Sequence, residues 1–215
     1  MTMDPKIKEF FSRVSTGSVS DAMKLLNIDN WMDDILPIDP QKTVFGPAFT
    51  IHASINTGRG SGQKGTSITN LCEQWQEGDV LVYPGCAGEI DSRLCMNYGA
   101  AGIILGGKCR DYMEMGRLDI PVFCNGPKIR LRSNEYVTDA YNVPLDMAGA
   151  HIEPGDYIFG NADGVIVIPK DRLAEVMYQA EMVEEVEHML QAALDRGCTI
   201  EELNKIRDIK KKPRA

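Results

Sequence analysis

The sequence has no CxxC pair and no Cys/His run at metal-ligand spacing, although it holds six cysteines: Cys72, Cys86, Cys95, Cys109, Cys124 and Cys198. That argues against a zinc site and leaves the cysteines as small buried hydrophobes. No stretch approaches the roughly 20 apolar residues of a membrane span, and the opening MTMDPKIKEFF has no apolar signal core. The expectation is a protein of the reducing cytoplasm with no membrane partner. Clustered Lys and Arg are also missing. The formal net charge is -8 and only 210–214 is basic, which argues against a nucleic-acid partner and makes the tail a solvated end. The glycine-rich GRGSGQKGT, 58–66, lacks the GxxxxGK[ST] spacing of a phosphate loop because Gly65 follows Lys64. It reads as a surface loop.

What is present is an ordinary globular composition. The chain has 215 residues, 43% hydrophobic and 25% charged, long enough to bury a core as one large domain or two small ones. Helical spacing covers 5–14, and a second helix is expected from Ser18 or Ser20, with Asp21 in its first turn. VFGPAFTIHA, 44–53, reads as an edge segment interrupted by Gly46 and Pro47 and followed by a true strand, in which His52 is a satisfied strand residue. Residues 67–75 read as a helix. EGDVLVYPG and EPGDYIFGN, 77–85 and 153–161, share a Gly-Asp turn that launches a short apolar strand. Asp163-Gly164 marks a hairpin. Short β-rich runs fill 119–126 and 136–149. After Pro169 the pattern changes to a long amphipathic helix, 171–194, with Leu173, Val176, Met177, Ala180, Val183, Val186 and Leu190 on its apolar face, and a last helix covers 200–209.

The chemistry gathers in 85–111, GCAGEIDSRLCMNYGAAGIILGGKCRD. Small residues and the acids Glu89 and Asp91 precede a helix, and Gly99 turns it into an apolar strand that ends in two glycines and Arg110-Asp111. Backbone N–H groups at a helix start, facing a strand end with a cation and a carboxylate, suit a small anion with a divalent metal. Each part also has a plain structural account. Arg110-Asp111 could be a solvated turn, Glu89 and Asp91 could answer the helix dipole, and Glu184, Glu185 and Glu187 could be one charged helix face. Lys108 could suggest a Schiff base, but that needs a desolvated pocket.

STGSVSDAM, FGPAFTIHA, EGDVLVY, GEIDSRLCMNYGAAGIILGGKCRD, IPVFCNG, VPLDMAG and EPGDYIFGNADGVIVIPKDR occur in that order. Together they resemble the RraA-like family over about 14–187. That family contains the 4-hydroxy-4-methyl-2-oxoglutarate aldolases, with associated oxaloacetate decarboxylase activity, and the protein regulators of ribonuclease E.

The resemblance implies an α/β fold: a single domain over 1–215 of the swivelling β/β/α type, with a core at 14–187, a helical extension at 188–209 and a basic tail at 210–215. It implies a homotrimer or a pair of stacked trimers with sites at subunit interfaces. It implies a divalent-metal-dependent lyase that acts on a 2-oxo acid through a metal-stabilised pyruvate enolate. Asp111 would hold Mg2+ or Mn2+, and Arg110 would pair with the substrate carboxylate. Gly88 opens the loop, the amides of Ile90 and Asp91 would support the ligand, and Glu89 would hold metal-bound water. Glu185, with Glu184 second, matches the acid that the long helix lends to a neighbouring subunit. The alternative is a non-catalytic regulator that binds a protein. Two departures stand out: Gly106 replaces the acid of a DGxxRD pattern, and Asp91 adds negative charge where an apolar pair is usual. An older label of the family, menaquinone methyltransferase, finds no support, because no glycine-rich nucleotide-binding strand-turn-helix is evident.

Overall fold

The structure is a computed structural model and describes residues 4–55, 68–129, 136–211 and 213. In chain order the elements are α1 (Pro5–Arg13), α2 (Thr16–Leu25), β1 (Trp31–Met32), β2 (Leu36–Pro37), β3 (Val44–Ile55), a 3-10 turn (Ile68–Leu71), β4 (Val80–Tyr83), α3 (Glu89–Asn97), β5 (Gly102–Leu105), α4 (Tyr112–Gly116) and β6 (Val122–Cys124). They continue with β7 (Tyr136–Tyr141), β8 (Leu145–Met147), β9 (Ala150–Ile152), β10 (Tyr157–Asn161), β11 (Gly164–Ile168), a 3-10 turn (Lys170–Arg172), α5 (Leu173–Asp195) and α6 (Ile200–Ile209). Two compact units result: an α/β unit over Asn30–Lys170, and a helical unit that joins Pro5–Asp29 to Asp171–Ala215.

In the α/β unit the strands run in the order β1-β11-β10-β3-β4-β5-β6-β2, with β7 also on β3 and β8–β9 as a separate hairpin. The pairs β3-β4, β4-β5 and β5-β6 are parallel and the rest antiparallel. A parallel strand covered on both faces reads as a continuous apolar run, and VLVY of β4 and GIIL of β5 are buried at every position. Alternate residues then serve opposite cores. Phe49, Leu81, Tyr83, Ile103 and Leu105 pack with Cys95 of α3 and Met115 of α4. Val80, Val82, Ile104 and Phe123 pack with Leu145, Met147 and Ile152 of the hairpin. Each such fully buried side chain contributes about 1.5–3 kcal/mol.

The repeated Gly-Asp turn is one device used twice. Gly78 and Gly155 take φ +94° and +84°. The carboxylate that follows accepts a backbone N–H three residues upstream, Gln76 N to Asp79 Oδ2 at 2.8 Å and Glu153 N to Asp156 Oδ2 at 2.9 Å. Burial raises the pKa of Asp79 against the lowering effect of that hydrogen bond.

Three expectations are corrected. The entry at 44–47 is not an edge: β3 lies between β10 and β4, pairing with β10 up to Pro47 and with β4 from Ala48. Pro47 therefore sits where pairing passes between neighbours, and its missing N–H interrupts neither ladder. Of the helix expected over 67–75, the described part, 68–75, is not an α-helix. A 3-10 turn and further turns place Ile68, Leu71 and Trp75 in one core, with Trp75 Nε1 donating to Tyr98 O at 3.0 Å. Helix α2 starts at Thr16 because the Ser15 hydroxyl accepts from Ser18 N at 3.0 Å, so Asp21 lies beyond the first turn. The hairpin expected at Asp163-Gly164 is present: β10 and β11 pair antiparallel about Ala162 and Asp163, and Gly164 begins β11. The glycine-rich 58–66 lies outside the described residues. His52 is satisfied as expected, its Nδ1 lying 2.5 Å from Asp139 Oδ1.

In the helical unit, α5 buries Leu173, Val176, Ala180, Val183, Val186 and Leu190 of the expected stripe, leaves Met177 half-buried, and adds Gln179 and Ala193. Its acidic side chains are not one solvated face. Glu184 accepts Ser15 N at 3.0 Å, and Glu187 pairs with Lys210, which also reaches Asp21 at 2.5 Å. Lys210 therefore belongs to this network and not to a solvated tail. Among the described residues no helix is long and apolar enough to cross a membrane.

Candidate active site

Strands β4 and β5 are parallel neighbours that end level, Tyr83 opposite Leu105. Loops beyond the carboxyl ends of parallel strands share one edge of the sheet, where ligand groups gather. Here 84–88 leads into α3 and 106–111 into α4. The loops are stitched together by Gly106 N donating to Tyr83 O (2.9 Å) and Gly107 N to Gly85 O (3.1 Å).

Asp111 precedes α4 with φ 58°, ψ 36°, a left-handed conformation that Asp tolerates better than most residues. Its carboxylate does not cap its own helix. It turns instead toward α3, where Oδ2 accepts Glu89 N–H at 3.3 Å and lies 3.7 Å from Arg110 Nε. Gly88 makes this approach possible, because a Cβ there would lie 2.9 Å from Asp111 Oδ2 and 3.8 Å from Arg110 Nε. With φ -124° and ψ -172°, Gly88 is ordinary extended backbone, so closeness and not strain selects the glycine.

The first amides of α3 have no acceptor within the helix. Glu89 N–H goes to Asp111, which leaves those of Ile90 and Asp91 at the positive end of the helix beside Arg110. The Asp91 carboxylate folds back onto Gly88 N–H at 3.2 Å, and the Ser92 hydroxyl donates to Gly88 O at 3.0 Å. The negative charge that Asp91 adds is thus partly met by the loop. Glu89 Oε1 accepts from Arg93 Nε at 2.7 Å, one helical turn on. Arg93 is the site residue that sequence reasoning missed, and the Glu–Arg i,i+4 spacing was its signal.

Gly106 also has a physical reason. A Cβ there would come within 2.7 Å of Met147 Sδ and 3.0 Å of Pro84 Cα, so the acid of the DGxxRD pattern has no room. Behind the turn, Cys109 is buried and hydrogen-bonded to Cys124. The hydrogen bond to Cys124, and burial with it, raise its thiol pKa well above the ordinary range.

The structure therefore brings Gly88, Glu89, Ile90, Asp91, Arg110 and Asp111 to one edge of the α/β unit. Glu184 and Glu185 lie on α5 in the helical unit. Partial burial would raise the Glu184 pKa, but hydrogen bonds from Ser18 and Ser15 outweigh it and keep the carboxyl below its usual range. Glu185 is exposed. Among the described residues no three His, Cys, Asp or Glu side chains form a metal cage. A lone carboxylate, 41% exposed, beside a cation does not suit closed zinc coordination. It suits a hard divalent ion that keeps its waters and takes few protein ligands.

A family model described as RraA-like, Aldolase/RraA, matches residues 16–167. A candidate 4-hydroxy-4-methyl-2-oxoglutarate aldolase of Halalkalibacterium halodurans is 30% identical over 178 residues, 80% of each chain. Protein DlpA of Legionella pneumophila is 26% identical over 208 residues, 92% of this chain, which spans only 33% of DlpA. Among solved structures, Streptomyces coelicolor RraAS2, described as an unusual member of the RNase ES inhibitor RraA protein family, aligns with TM-score 0.78 and 26% identity over 89% of this chain and 99% of that one.

Proposed function

The chain belongs to the RraA-like family, and on that premise we propose that it is a divalent-metal-dependent lyase cleaving a carbon–carbon bond of a 2-oxo acid. The reaction is of the 4-hydroxy-4-methyl-2-oxoglutarate aldolase or oxaloacetate decarboxylase type. The observation that carries this reading is the convergence of the Asp111 carboxylate and the Arg110 side chain on the amide end of α3, across a position where a Cβ would crowd the Asp111 carboxylate.

Mg2+ or Mn2+ held by Asp111 would supply Lewis-acid stabilisation of the negative charge that develops on the substrate's keto oxygen. The Arg110 guanidinium offers a planar fork for the substrate carboxylate, through two parallel charge-assisted hydrogen bonds. The amides of Ile90 and Asp91 orient the same group from the helix start. Glu89, steadied by Arg93, holds a water within reach as proton donor or acceptor. Glu185 from a neighbouring subunit closes the open side in a trimer or stacked trimers in the cytoplasm.

The second reading is a non-catalytic, protein-binding regulator, favoured by the likeness to RraAS2. The two separate by calorimetry. The lyase reading expects Mn2+ binding that pyruvate strengthens, and reciprocally, pyruvate binding that Mn2+ strengthens. Asp111→Asn should abolish both. A folded protein that binds neither ligand supports the regulator.

A further inference from the structure

The Arg110-Asp111 turn is backed by two sulfurs that the proposed chemistry does not use. Cys109 immediately precedes Arg110, and its Sγ lies 3.3 Å from that of Cys124, the last residue of β6. Both side chains are buried, at 0% and 2% exposure. The backbone holds the two segments side by side: Cys109 N donates to Gly126 O at 3.1 Å, Lys128 N donates to Cys109 O at 2.7 Å, and Cys109 bridges Pro127. Among the described residues no third ligand completes a metal site here. The thiols therefore face each other in a fixed frame, already in van der Waals contact.

We propose that Cys109 and Cys124 form a reversible redox pair whose closure to a disulfide displaces the Arg110-Asp111 turn. The functional consequence rests on the lyase reading of that turn, whereas closure itself does not. The oxidant is a small neutral hydroperoxide, the class that can reach buried sulfur. One thiol attacks the peroxide, the O–O bond breaks, and a sulfenic acid and water form. The second thiol then attacks that sulfur and expels a second water. Two thiols and one hydrogen peroxide thus give one disulfide and two waters, the sulfurs losing two electrons and the peroxide gaining them.

A disulfide needs its sulfurs about 2.05 Å apart, so closure from 3.3 Å draws the two segments together by on the order of 1 Å. Asp111 is two residues from Cys109, and its contact with Glu89 N–H is already long at 3.3 Å. Misplacement of about 1 Å at a catalytic group can cost about 100-fold in rate. Oxidation should therefore lower the lyase rate by about that factor, and reduction should restore it. It should also loosen the start of α4, where Met115 N donates to Asp111 O at 2.8 Å.

The experiment treats the full-length protein with hydrogen peroxide, blocks free thiols, and maps unreduced peptides. Hydrogen exchange at 110–116 and Mn2+ binding are measured before oxidation, after it, and after dithiothreitol. The expected result is a Cys109–Cys124 linkage with loss of two hydrogens, faster exchange at Met115 and weaker Mn2+ binding, all reversed by dithiothreitol. Only sulfinic or sulfonic acids, or linkage through the partly exposed Cys86, would overturn the pair. A Cys109–Cys124 linkage that leaves exchange at 110–116 unchanged would overturn the coupling. If the reduced protein itself binds no Mn2+, the lyase reading fails, while the peptide map and exchange still decide the redox pair.

Discussion

Replacing Gly88 by alanine perturbs the candidate site without touching any charged group. The new Cβ would lie 2.9 Å from Asp111 Oδ2, whereas ordinary contact begins at 3.4 Å. The carboxylate must therefore retreat by about 0.5 Å, which is the tolerance of a preorganised site. Because it is 41% exposed, it can swing toward solvent and leave α3 in place. The structural loss is then the 3.3 Å bond from Glu89 N–H, about 1 kcal/mol. Alanine's poorer performance than glycine at a helix N-cap adds up to about 1 kcal/mol. Stability should fall by about 1–2 kcal/mol, while metal-dependent turnover falls by on the order of 10-fold, half on a log scale of what a misplacement of about 1 Å costs. Gly17→Ala is the control, since its nearest neighbour would be Ser15 Oγ at 3.7 Å. The assay combines urea unfolding with kcat and KM for pyruvate release across a Mg2+ titration. A folded Gly88→Ala protein with wild-type turnover and an unchanged metal midpoint would refute the reasoning.

Three further outcomes are expected. Arg110→Lys keeps the charge but loses the fork, so it should raise KM more than it lowers kcat, by about 1–3 kcal/mol in binding; an unchanged KM would remove Arg110 from substrate contact. Glu185→Ala should impair turnover and leave the subunit folded, and light scattering should exceed the 23.8 kDa of one chain; a monomeric mass at micromolar concentration would contradict an interface site. His151 is held by Asp146 and Glu153 on its two ring nitrogens, which raises its pKa above 6.5. Its contribution to the β8–β9 hairpin is therefore full below pH 6.5 and is lost as pH rises through the raised value, a small effect because the side chain is 58% exposed. Hydrogen exchange in that hairpin should quicken over this window in the wild type and not in His151→Gln.

The elements most legible in the sequence were those whose pattern is local. The α5 stripe, α6, the all-apolar runs of β4 and β5, and the Gly-Asp turns all follow from spacing and turn chemistry. What failed depended on distant partners. Nothing within 44–53 says that β10 and β4 will take successive halves of one strand, or that Ile68, Leu71 and Trp75 reach their core without a helix. The ordered motifs marked the candidate residues, but not why a glycine suits position 88. That became visible only when Asp111, 23 positions later, turned back on it. Arg93 was within reach of i,i+4 reasoning. The contact between Cys109 and Cys124 was not, because it depends on β5 and β6 being neighbours.

The central claim is that Asp111 and Arg110 serve a metal-dependent lyase. The most direct measurement is pyruvate release from a panel of 4-hydroxy-2-oxo acids and oxaloacetate, with and without Mg2+ or Mn2+, by the wild type and Asp111→Asn. The account predicts metal-stimulated release from at least one substrate by the wild type and near-complete loss in the variant, with both folded by circular dichroism. Release that needs no metal, or that survives Asp111→Asn unchanged, would contradict it, as would its absence on every substrate in the panel.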